Sequence, residues 1–330
     1  MRAIVAGLTL LFSSIALAWI EEERVMGQGT TLTVYATYDV PAVLPLLEAF
    51  SNANPEIKLI YRVASSQDLY DRILRGELPD ADLVFSSAVA LQVDSVNRGM
   101  AQRFSVPTPQ APWRAQLYTL SVEPIVSIYN RRKAPWIGQI TDRNQMTAQL
   151  QSGLRILPDG AMTYDPSVSG VGYQLLTQDA EQSNNFWSFY GELEKQRLEL
   201  ACCTSDMINA VASGQRDLAT NLLQSYVLPL LDQYEDLAIK IWTDYQLVLP
   251  RTAWIPKTAP NSAGARKFVS FFVGDGQVLL PQNNRLDRPT NLAAPQKPIR
   301  LTPSQTLYLD RVKRDQFLHR WNQLSAGEVQ

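Results

Sequence analysis

The strongest constraint on the fold of this chain is a regular alternation of strand and helix patterns. Apolar and polar residues alternate at positions 31–36, which predicts a strand, and Asp39 and Pro41 then favour the start of a helix. Further apolar or alternating runs at positions 57–63 and 81–85 predict two more strands, each followed by a helical pattern. This β-α-β-α-β order is typical of an α/β fold, in which helices flank a parallel or mixed sheet.

The same alternation resumes in the middle of the chain and indicates a second unit of this kind, since 330 residues suffice for two domains of roughly 150 residues. Further strands are predicted at residues 124–129, 161–164, 218–222 and 245–249. The last of them is expected to end at Pro250. Ser205 or Asp206 is expected to cap one of the intervening helices, and Thr302-Pro303 to open a C-terminal helix.

Composition and motifs exclude several functional classes. With 45% hydrophobic and 19% charged residues, the chain is typical of a folded globular protein. Its 30 basic and 32 acidic residues leave a net charge of -2, which argues against a nucleic-acid partner. The single histidine, His319, argues against histidine-based metal sites and catalytic triads. The motifs G-x-S-x-G, G-x-x-x-x-G-K-[ST] and H-E-x-x-H do not occur, so we expect no enzyme, no cofactor and no metal centre.

The N-terminus predicts export. Residues 3–17 are an apolar run, and Ala16-Leu17-Ala18 forms a small-x-small cleavage pattern, so residues 1–18 are interpreted as a cleaved signal peptide. A membrane anchor is the alternative, but the run is short for a span of about 20 residues, and Glu21-Glu22-Glu23 follows closely. We therefore expect an exported protein that is not embedded in the membrane after cleavage.

Two adjacent cysteines, Cys202 and Cys203, leave two interpretations open. Exported proteins can form disulfides, and an adjacent pair would then close a vicinal bridge. The alternative is a pair of partly buried thiols.

Three segments share the order strand, small polar loop and helix, at residues 64–67, 85–88 and 164–170. In open α/β sheets, ligands bind beyond the carboxyl ends of the strands, and free N–H groups at a helix start attract anions. Ordinary helix capping, which also favours serine, is the alternative. The candidate ligand-binding residues from these loops are Ser65, Ser66, Ser86, Ser87, Asp165, Ser167, Ser169, Gly170 and Val171.

Several stretches together resemble a known family. They are Leu-Thr-Val-Tyr-Ala at 32–36, Pro-Ala-Val-Leu-Pro-Leu-Leu-Glu-Ala-Phe at 41–50, Pro-Asp-Ala-Asp-Leu-Val-Phe at 79–85, Tyr-Asp-Pro-Ser-Val-Ser-Gly-Val-Gly-Tyr at 164–173, residues 214–226, and Leu-Pro-Arg-Thr-Ala-Trp-Ile-Pro-Lys at 249–257. In their order and spacing the chain is similar to bacterial periplasmic solute-binding proteins of the iron(III)/organophosphate branch of ABC-transporter binding proteins. The segment from Cys202-Cys203 to Asp206-Met207 also resembles the phosphoglycerate-transport regulatory proteins.

The resemblance implies a two-lobed fold of the type II periplasmic binding proteins, with mixed sheets flanked by helices and a two-crossing hinge. The crossings are expected near residues 124–126 and 246–248. Lobe 1 would then comprise residues 30–124 plus 249–330, and lobe 2 residues 125–248. The ligand would sit in the cleft between the lobes and be buried by their closure.

The resemblance also implies how the binding site differs from that of the iron-binding members, which use His, Glu and two consecutive Tyr. The corresponding positions here are Asp39, Ser87, Tyr226 and Val227, a poor ligand set for ferric iron. The Ser-Gly-small turn that binds an anion in those members matches residues 169–171. The metal half of the site is thus expected to be lost and the anion half to be kept.

Further candidates adjoin these positions, namely Tyr38, Gln224 and Ser225. Tyr226 is expected either to contact the ligand from the cleft wall or to be packed with its hydroxyl satisfied. Arg251 is expected to be either a charged donor to the ligand or a surface residue.

The leading hypothesis is a periplasmic protein that captures a small anionic solute, in particular a phosphorylated metabolite, by lobe closure. Its partner would be an ABC-transporter permease or a membrane sensor kinase. A ferric-iron-binding protein of the same fold is the alternative. An exported hydrolase using carboxylates such as Asp39 and Asp165 is the least favoured interpretation.

Overall fold

The computed structural model describes residues 19–287 and 294–325. The predicted signal peptide, residues 1–18, lies outside the described residues. None of the described helices is long and apolar enough to cross a membrane.

The first part of the chain forms four strands and three helices. They are β1 (Ile20–Met26), β2 (Thr30–Ala36), α1 (Val40–Ala53), β3 (Ile57–Ala64), α2 (Ser66–Leu74), β4 (Leu83–Ser86) and α3 (Val89–Asn97). Strand β1 is absent from the sequence-based prediction. It pairs antiparallel with β3 at the edge of the sheet and is largely exposed, so it lacks the apolar alternation that marks a buried strand.

The middle of the chain continues with β5 (Tyr118–Asn130), α4 (Arg143–Gln151), β6 (Ala161–Tyr164), α5 (Gly170–Gln182), α6 (Phe186–Lys195), β7 (Leu198–Ala201), α7 (Thr204–Ala212), β8 (Leu218–Leu223), α8 (Gln224–Val227) and β9 (Leu237–Lys240). The last part holds β10 (Gln246–Trp254), α9 (Ser262–Val273), β11 (Gln296–Pro298) and α10 (Arg311–Ser325). Short 3₁₀ helices occur at Pro135–Gln139, Leu228–Leu230, Asp275–Leu279, Gln282–Asn284 and Pro303–Leu309.

The strands form one connected, mixed path in the order β1-β3-β2-β4-β10-β5-β8-β6-β7, with β11 on β10 and β9 on β5. Pairing is parallel within β3-β2-β4 and within β8-β6-β7, and antiparallel where β10 and β5 join these groups. The predicted α/β class with a mixed sheet and flanking helices is thus confirmed. Strand β5 pairs with β10 up to Pro124 and with β8 from Ile125, so it connects the two groups of strands.

Strand β10 does not end at Pro250, contrary to the prediction. It pairs with β11 at residues 246–248 and with β4 at residues 252–254, and Pro250 falls between these two ladders. On that side no strand partner requires the amide donor that proline lacks, so the strand continues to Trp254.

Two helix starts also differ from the prediction. Helix α7 begins at Thr204 with Cys203 in the N-cap position, not with Ser205 or Asp206. Thr302-Pro303 opens only a 3₁₀ segment, and the helix that carries the C-terminal aromatic residues begins at Arg311.

Helix α10 packs on α6 through Trp321 and Leu324, which are 3% and 6% exposed. Their neighbours include Phe186 and Tyr190 of α6. The sequence-based lobe division placed all of residues 249–330 with lobe 1, whereas α10 contacts an element of residues 125–248. Between β11 and α10, residues 303–309 contact α3. The C-terminal segment therefore touches both groups of elements.

Candidate ligand-binding cleft

A cleft of about 900 Å³ lies where the carboxyl ends of β3 and β6 meet the starts of several helices. Its walls come from separated parts of the chain: the β3–α2 loop, the start of α3, the starts of α5 and α7, helix α8, and residues 308–314. Volumes of roughly 300–1,000 Å³ are typical of small-molecule sites. The cleft is therefore large enough for a metabolite-sized solute.

Eight of the candidate residues line this cleft. They are Asp39, Ser65, Ser66, Ser87, Ser169, Gly170, Val171 and Tyr226. They meet because the strands of the two groups run in opposite directions along β5, so their carboxyl ends face each other across the cleft. Ser65 and Ser169 also cap their helices, because they accept hydrogen bonds from Asp68 N–H and Gly172 N–H, respectively. These two serines therefore both cap a helix and line the cleft.

Six candidates do not line the cleft, namely Tyr38, Ser86, Asp165, Ser167, Gln224 and Ser225. Some of them shape the loops behind it. Ser86 Oγ accepts hydrogen bonds from Thr37 Oγ1 at 3.0 Å and from Ala88 N–H at 3.1 Å. The Asp165 carboxylate accepts from the Ser167 N–H at 2.7 Å, which closes the turn before α5. Gln224 is buried, with an exposure of 5%.

A buried ion pair supports the floor of the cleft. Arg251 Nη2 donates to Glu123 Oε2 at 2.9 Å, and their side chains are 2% and 0% exposed. The Ser225 N–H and hydroxyl each donate to this carboxylate at 2.8 Å, and Asn284 donates to it at 3.1 Å. The Arg251 guanidinium also lies 3.7 Å from the Tyr38 ring centroid. Ser225 thus holds the Glu123 carboxylate, and Tyr38 packs against the Arg251 guanidinium.

Arg251 lines the cleft and is 1% exposed, so its interpretation as a surface residue is wrong. Burial opposes its charge, but the Glu123 carboxylate outweighs that effect and the pKa of Arg251 lies above its usual range. Its Nε has no hydrogen-bond partner among the described residues. With Glu123 occupying Nη2, this arginine is already neutralised within the protein.

Tyr226 lines the cleft, and its hydroxyl donates a hydrogen bond to the Asp39 carboxylate, so the interpretation of a satisfied hydroxyl is confirmed, while contact with a ligand stays a prediction. Burial raises the pKa of Tyr226 well above its usual range, and Asp39 raises it further. The side chain is therefore a neutral phenol rather than a phenolate. Val227, the position of the second family tyrosine, is fully buried in the core.

The start of α5 presents backbone donors to the cleft. Tyr173 N–H makes the first intrahelical bond, to the Ser169 carbonyl at 2.8 Å, so the N–H groups of Gly170 and Val171 precede it. Gly172 packs against Tyr164 so closely that an added Cβ would lie 2.3 Å from the Tyr164 Cβ. This contact fixes the helix start at the end of β6.

Sequence reasoning missed several residues of the cleft wall, among them Tyr70, Arg98, Gln174 and Arg314. Gln174 is one helical turn beyond Gly170, so the i, i+4 spacing could have identified it. Arg314 is distant in sequence and gives no such signal.

The other charged groups of the cleft are mostly paired. Arg98 forms an ion pair with Asp94, whose carboxylate also accepts from the Tyr70 hydroxyl. Burial raises the pKa of Glu21, as do the nearby Asp39 and Asp68 carboxylates.

Cys202 and Cys203 form a disulfide that lines the cleft at the N-terminus of α7. Both residues are exposed, so the interpretation as partly buried thiols is wrong. Cys202, Cys203 and Asp206 are close enough to share a metal ion. A disulfide, however, lacks the thiolate charge with which cysteine binds metals, so the oxidised pair does not fit one.

A comparison with models of protein families assigns the chain to a family. The model of the family described as "Bacterial extracellular solute-binding protein" matches residues 32–276. The chain belongs to this family. A comparison of this solute-binding protein with curated protein sequences finds no match.

Solved structures share the two-lobed fold of this solute-binding protein. The substrate-binding protein of an ABC transporter from Agrobacterium tumefaciens is 28% identical, with a TM-score of 0.81, over 92% of this chain and 98% of that one. Iron-bound HitA from Pseudomonas aeruginosa is 15% identical, with a TM-score of 0.66, over 89% and 99% of the two chains. AfuA from Actinobacillus pleuropneumoniae, solved with bound fructose-6-phosphate, is 15% identical, with a TM-score of 0.65, over 91% and 99%.

Proposed function

We propose that this protein captures a small oxyanionic solute, in particular a phosphorylated metabolite, in the cleft at the start of α5. The observation that carries the proposal is the set of donors at that helix start. The Gly170 and Val171 N–H groups precede the first intrahelical bond, and Gln174, whose Nε2 has no partner among the described residues, lines the same cleft one turn later. A helix N-terminus attracts an anion through these groups and through its dipole. The fructose-6-phosphate bound to AfuA supports a phosphorylated ligand for this fold.

The proposed mechanism is capture by lobe closure. Strands β5 and β10 connect the two groups of strands, and we place the hinge at the predicted crossings near residues 124–126 and 246–248. Because α10 packs on α6, we assign it to lobe 2 together with residues 125–248. Closure requires that the ligand bind both lobes more tightly when they are closed.

Delivery to a permease is the expected use of the captured solute, because the Agrobacterium tumefaciens relative is described as the substrate-binding protein of an ABC transporter. A membrane sensor kinase is the second proposed partner. Residues 1–18 would direct the chain to the periplasm in either case.

Ferric iron is the rival ligand, since iron-bound HitA shares the fold. Hard Fe(III) requires several anionic oxygen ligands, whereas the cleft offers Asp39, the neutral phenol of Tyr226 and Ser87 at the corresponding positions. This donor set favours the oxyanion over the metal.

A thermal-melt screen of residues 19–330 tests the proposal. The panel contains phosphoglycerates, hexose phosphates, inorganic phosphate, dicarboxylates, and ferric iron with and without phosphate. A ligand at 100 times its Kd adds about 2.7 kcal/mol of stability, which raises the Tm by several degrees. We expect such a shift with phosphorylated metabolites. A shift with ferric iron alone, accompanied by a tyrosinate charge-transfer band, would overturn the proposal.

A further inference from the structure

The positive charge of the cleft is concentrated in one unneutralised arginine. Among the residues that the structure describes, three arginines line the cleft: Arg98, Arg251 and Arg314. The first two are ion-paired with Asp94 and Glu123, respectively. Arg314 has no carboxylate partner within ion-pair distance in the described part of the chain. Its guanidinium instead contacts neutral groups, so its charge remains available to a ligand.

Arg314 reaches the cleft from α10 and contacts the loop that precedes α5. Its Nη2 donates to the Ser167 carbonyl at 3.0 Å and to the Pro166 carbonyl at 3.4 Å. Its guanidinium carbon lies 4.5 Å from the centroid of the Tyr173 ring, on the first turn of α5. An arginine has five N–H donors, so these contacts leave others for a ligand oxygen. The charge thus lies beside the helix start that holds the proposed anion site.

A second, independent feature indicates that a ligand acceptor belongs here. Gln174 is 5% exposed and lines the cleft, yet its side-chain Nε2 has no hydrogen-bond partner among the described residues. Buried donors in folded proteins almost always have an acceptor, because leaving one without a partner forfeits its solvation. Since Gln174 lies on the same helix one turn beyond Gly170, an oxyanion at the start of α5 would supply the missing acceptor.

We propose that Arg314 is the specificity-determining cation of the cleft, which neutralises the second negative charge of a phosphate monoester held by the start of α5 and Gln174. The inference rests on the proposed function and deepens it. A phosphate monoester carries up to two negative charges and three acceptor oxygens, which match backbone N–H groups, an amide donor and a guanidinium. The C-terminal helix α10 is then part of the binding site, and not only a packing element.

The experiment measures the Kd of the mature chain for a hexose phosphate and for the matching hexose sulfate, whose ester carries a single charge, at two salt concentrations. Arg314→Gln is expected to weaken phosphate binding by about tenfold or more, as expected for a lost charged hydrogen bond. It should also reduce the preference for phosphate over sulfate and the salt dependence. Arg314→Lys, which retains the charge, should keep the preference while losing part of the affinity.

Arg320→Gln is the matched control. Arg320 lies on the same helix, and its replacement by glutamine changes the charge by the same amount. Its guanidinium, however, stacks on Trp187 at 4.2 Å and does not line the cleft. It should bind as the wild type does. A purely structural role of Arg314 in holding residues 166–167 would weaken phosphate and sulfate binding equally, and that result would overturn the inference.

Gln174→Leu provides a second measurement that does not involve Arg314. Removing a donor that lacks an acceptor should raise the Tm of the ligand-free protein while weakening phosphate binding. If Arg314→Gln binds phosphate like the wild type, the inference fails although the proposed function stands. If the wild-type chain binds no anion of the panel, both fail.

Discussion

The Tyr226 hydroxyl donates a hydrogen bond to the Asp39 carboxylate within the cleft, between residues 187 positions apart in the sequence. Asp39 stands at the start of α1, yet its side chain makes no capping bond to that helix. Its carboxylate binds α8 instead, which follows β8 in the other group of strands. The bond therefore links the two sides of the cleft.

Tyr226→Phe should weaken ligand binding, because the closed arrangement loses this bond. A hydrogen bond to a charged group contributes about 1.5–3 kcal/mol, so the Kd of a hexose phosphate should rise about tenfold or more. Small-angle X-ray scattering should show a larger radius of gyration for the liganded variant than for the liganded wild type. Tyr70→Phe is the control, because it removes a Tyr–Asp bond between α2 and α3 on one side of the cleft. Equal effects of the two variants would refute a closing role for Tyr226.

Glu123→Gln should destabilise the fold by about 3–5 kcal/mol, because it leaves the buried guanidinium of Arg251 without its counter-ion. Urea denaturation measures this loss as a lower midpoint. Glu56→Gln is the control, since the Glu56–Lys267 pair is exposed and its loss should leave the midpoint unchanged. A midpoint for Glu123→Gln equal to that of the wild type would mean that the Glu123 network does not support the cleft floor.

Ser169→Asp should abolish anion binding without loss of stability. Aspartate caps helices as well as serine does, so α5 remains capped, but its carboxylate repels an oxyanion at the helix start. Ser169→Ala should instead lose about 1 kcal/mol of stability through the missing cap. Calorimetric titration with a hexose phosphate and thermal melts separate these effects. Unchanged affinity in Ser169→Asp would exclude the start of α5 as the anion site.

The Cys202–Cys203 disulfide should be reduced more slowly when the cleft is occupied, because both sulfurs are exposed in its wall. A dithiol reduces the bridge by transferring two electrons, which yields two protein thiols and the oxidised, cyclic disulfide of the reagent. Thiol release with time, with and without a saturating hexose phosphate, measures the protection. Identical rates would place the ligand away from α7.

Asp217 should make stability depend on pH in a defined direction. Burial raises the pKa of Asp217, and the bond from the Asp159 N–H at 2.8 Å only partly offsets this, while Oδ1 has no partner among the described residues. Its contribution is complete below the unfolded pKa of about 3.9 and is lost as pH rises through the higher folded pKa. The wild type should thus lose stability relative to Asp217→Asn as the pH rises above about 4.

Asp159→Asn should show the opposite slope. The hydrogen bond from Lys133 lowers the pKa of Asp159, so this side chain contributes stability above its unfolded pKa, and the contribution is lost as pH falls. Denaturation midpoints across the pH range compare both variants with the wild type. Parallel slopes for the two variants would contradict the assignment of the Asp217 shift to burial.

Much of the fold could be predicted from local patterns. The strand at Ala161–Tyr164 and the helices that follow the loops at residues 64–67 and 164–170 were all predicted. Strand β1 was missed because an exposed edge strand carries no apolar alternation. The prediction ended β10 too early because the effect of a proline depends on whether a neighbouring strand pairs with it.

The sequence by itself determined the alternating α/β architecture and the serine loops at the strand ends, because local periodicity and capping chemistry specify both. Only the tertiary structure decided which charges remain free in the cleft. Glu123 neutralises Arg251, Asp94 pairs with Arg98, and α10 brings Arg314 to the start of α5. These contacts join residues far apart in the chain, so no local pattern encodes them, and they exist only once both groups of strands and the C-terminal helix have packed together.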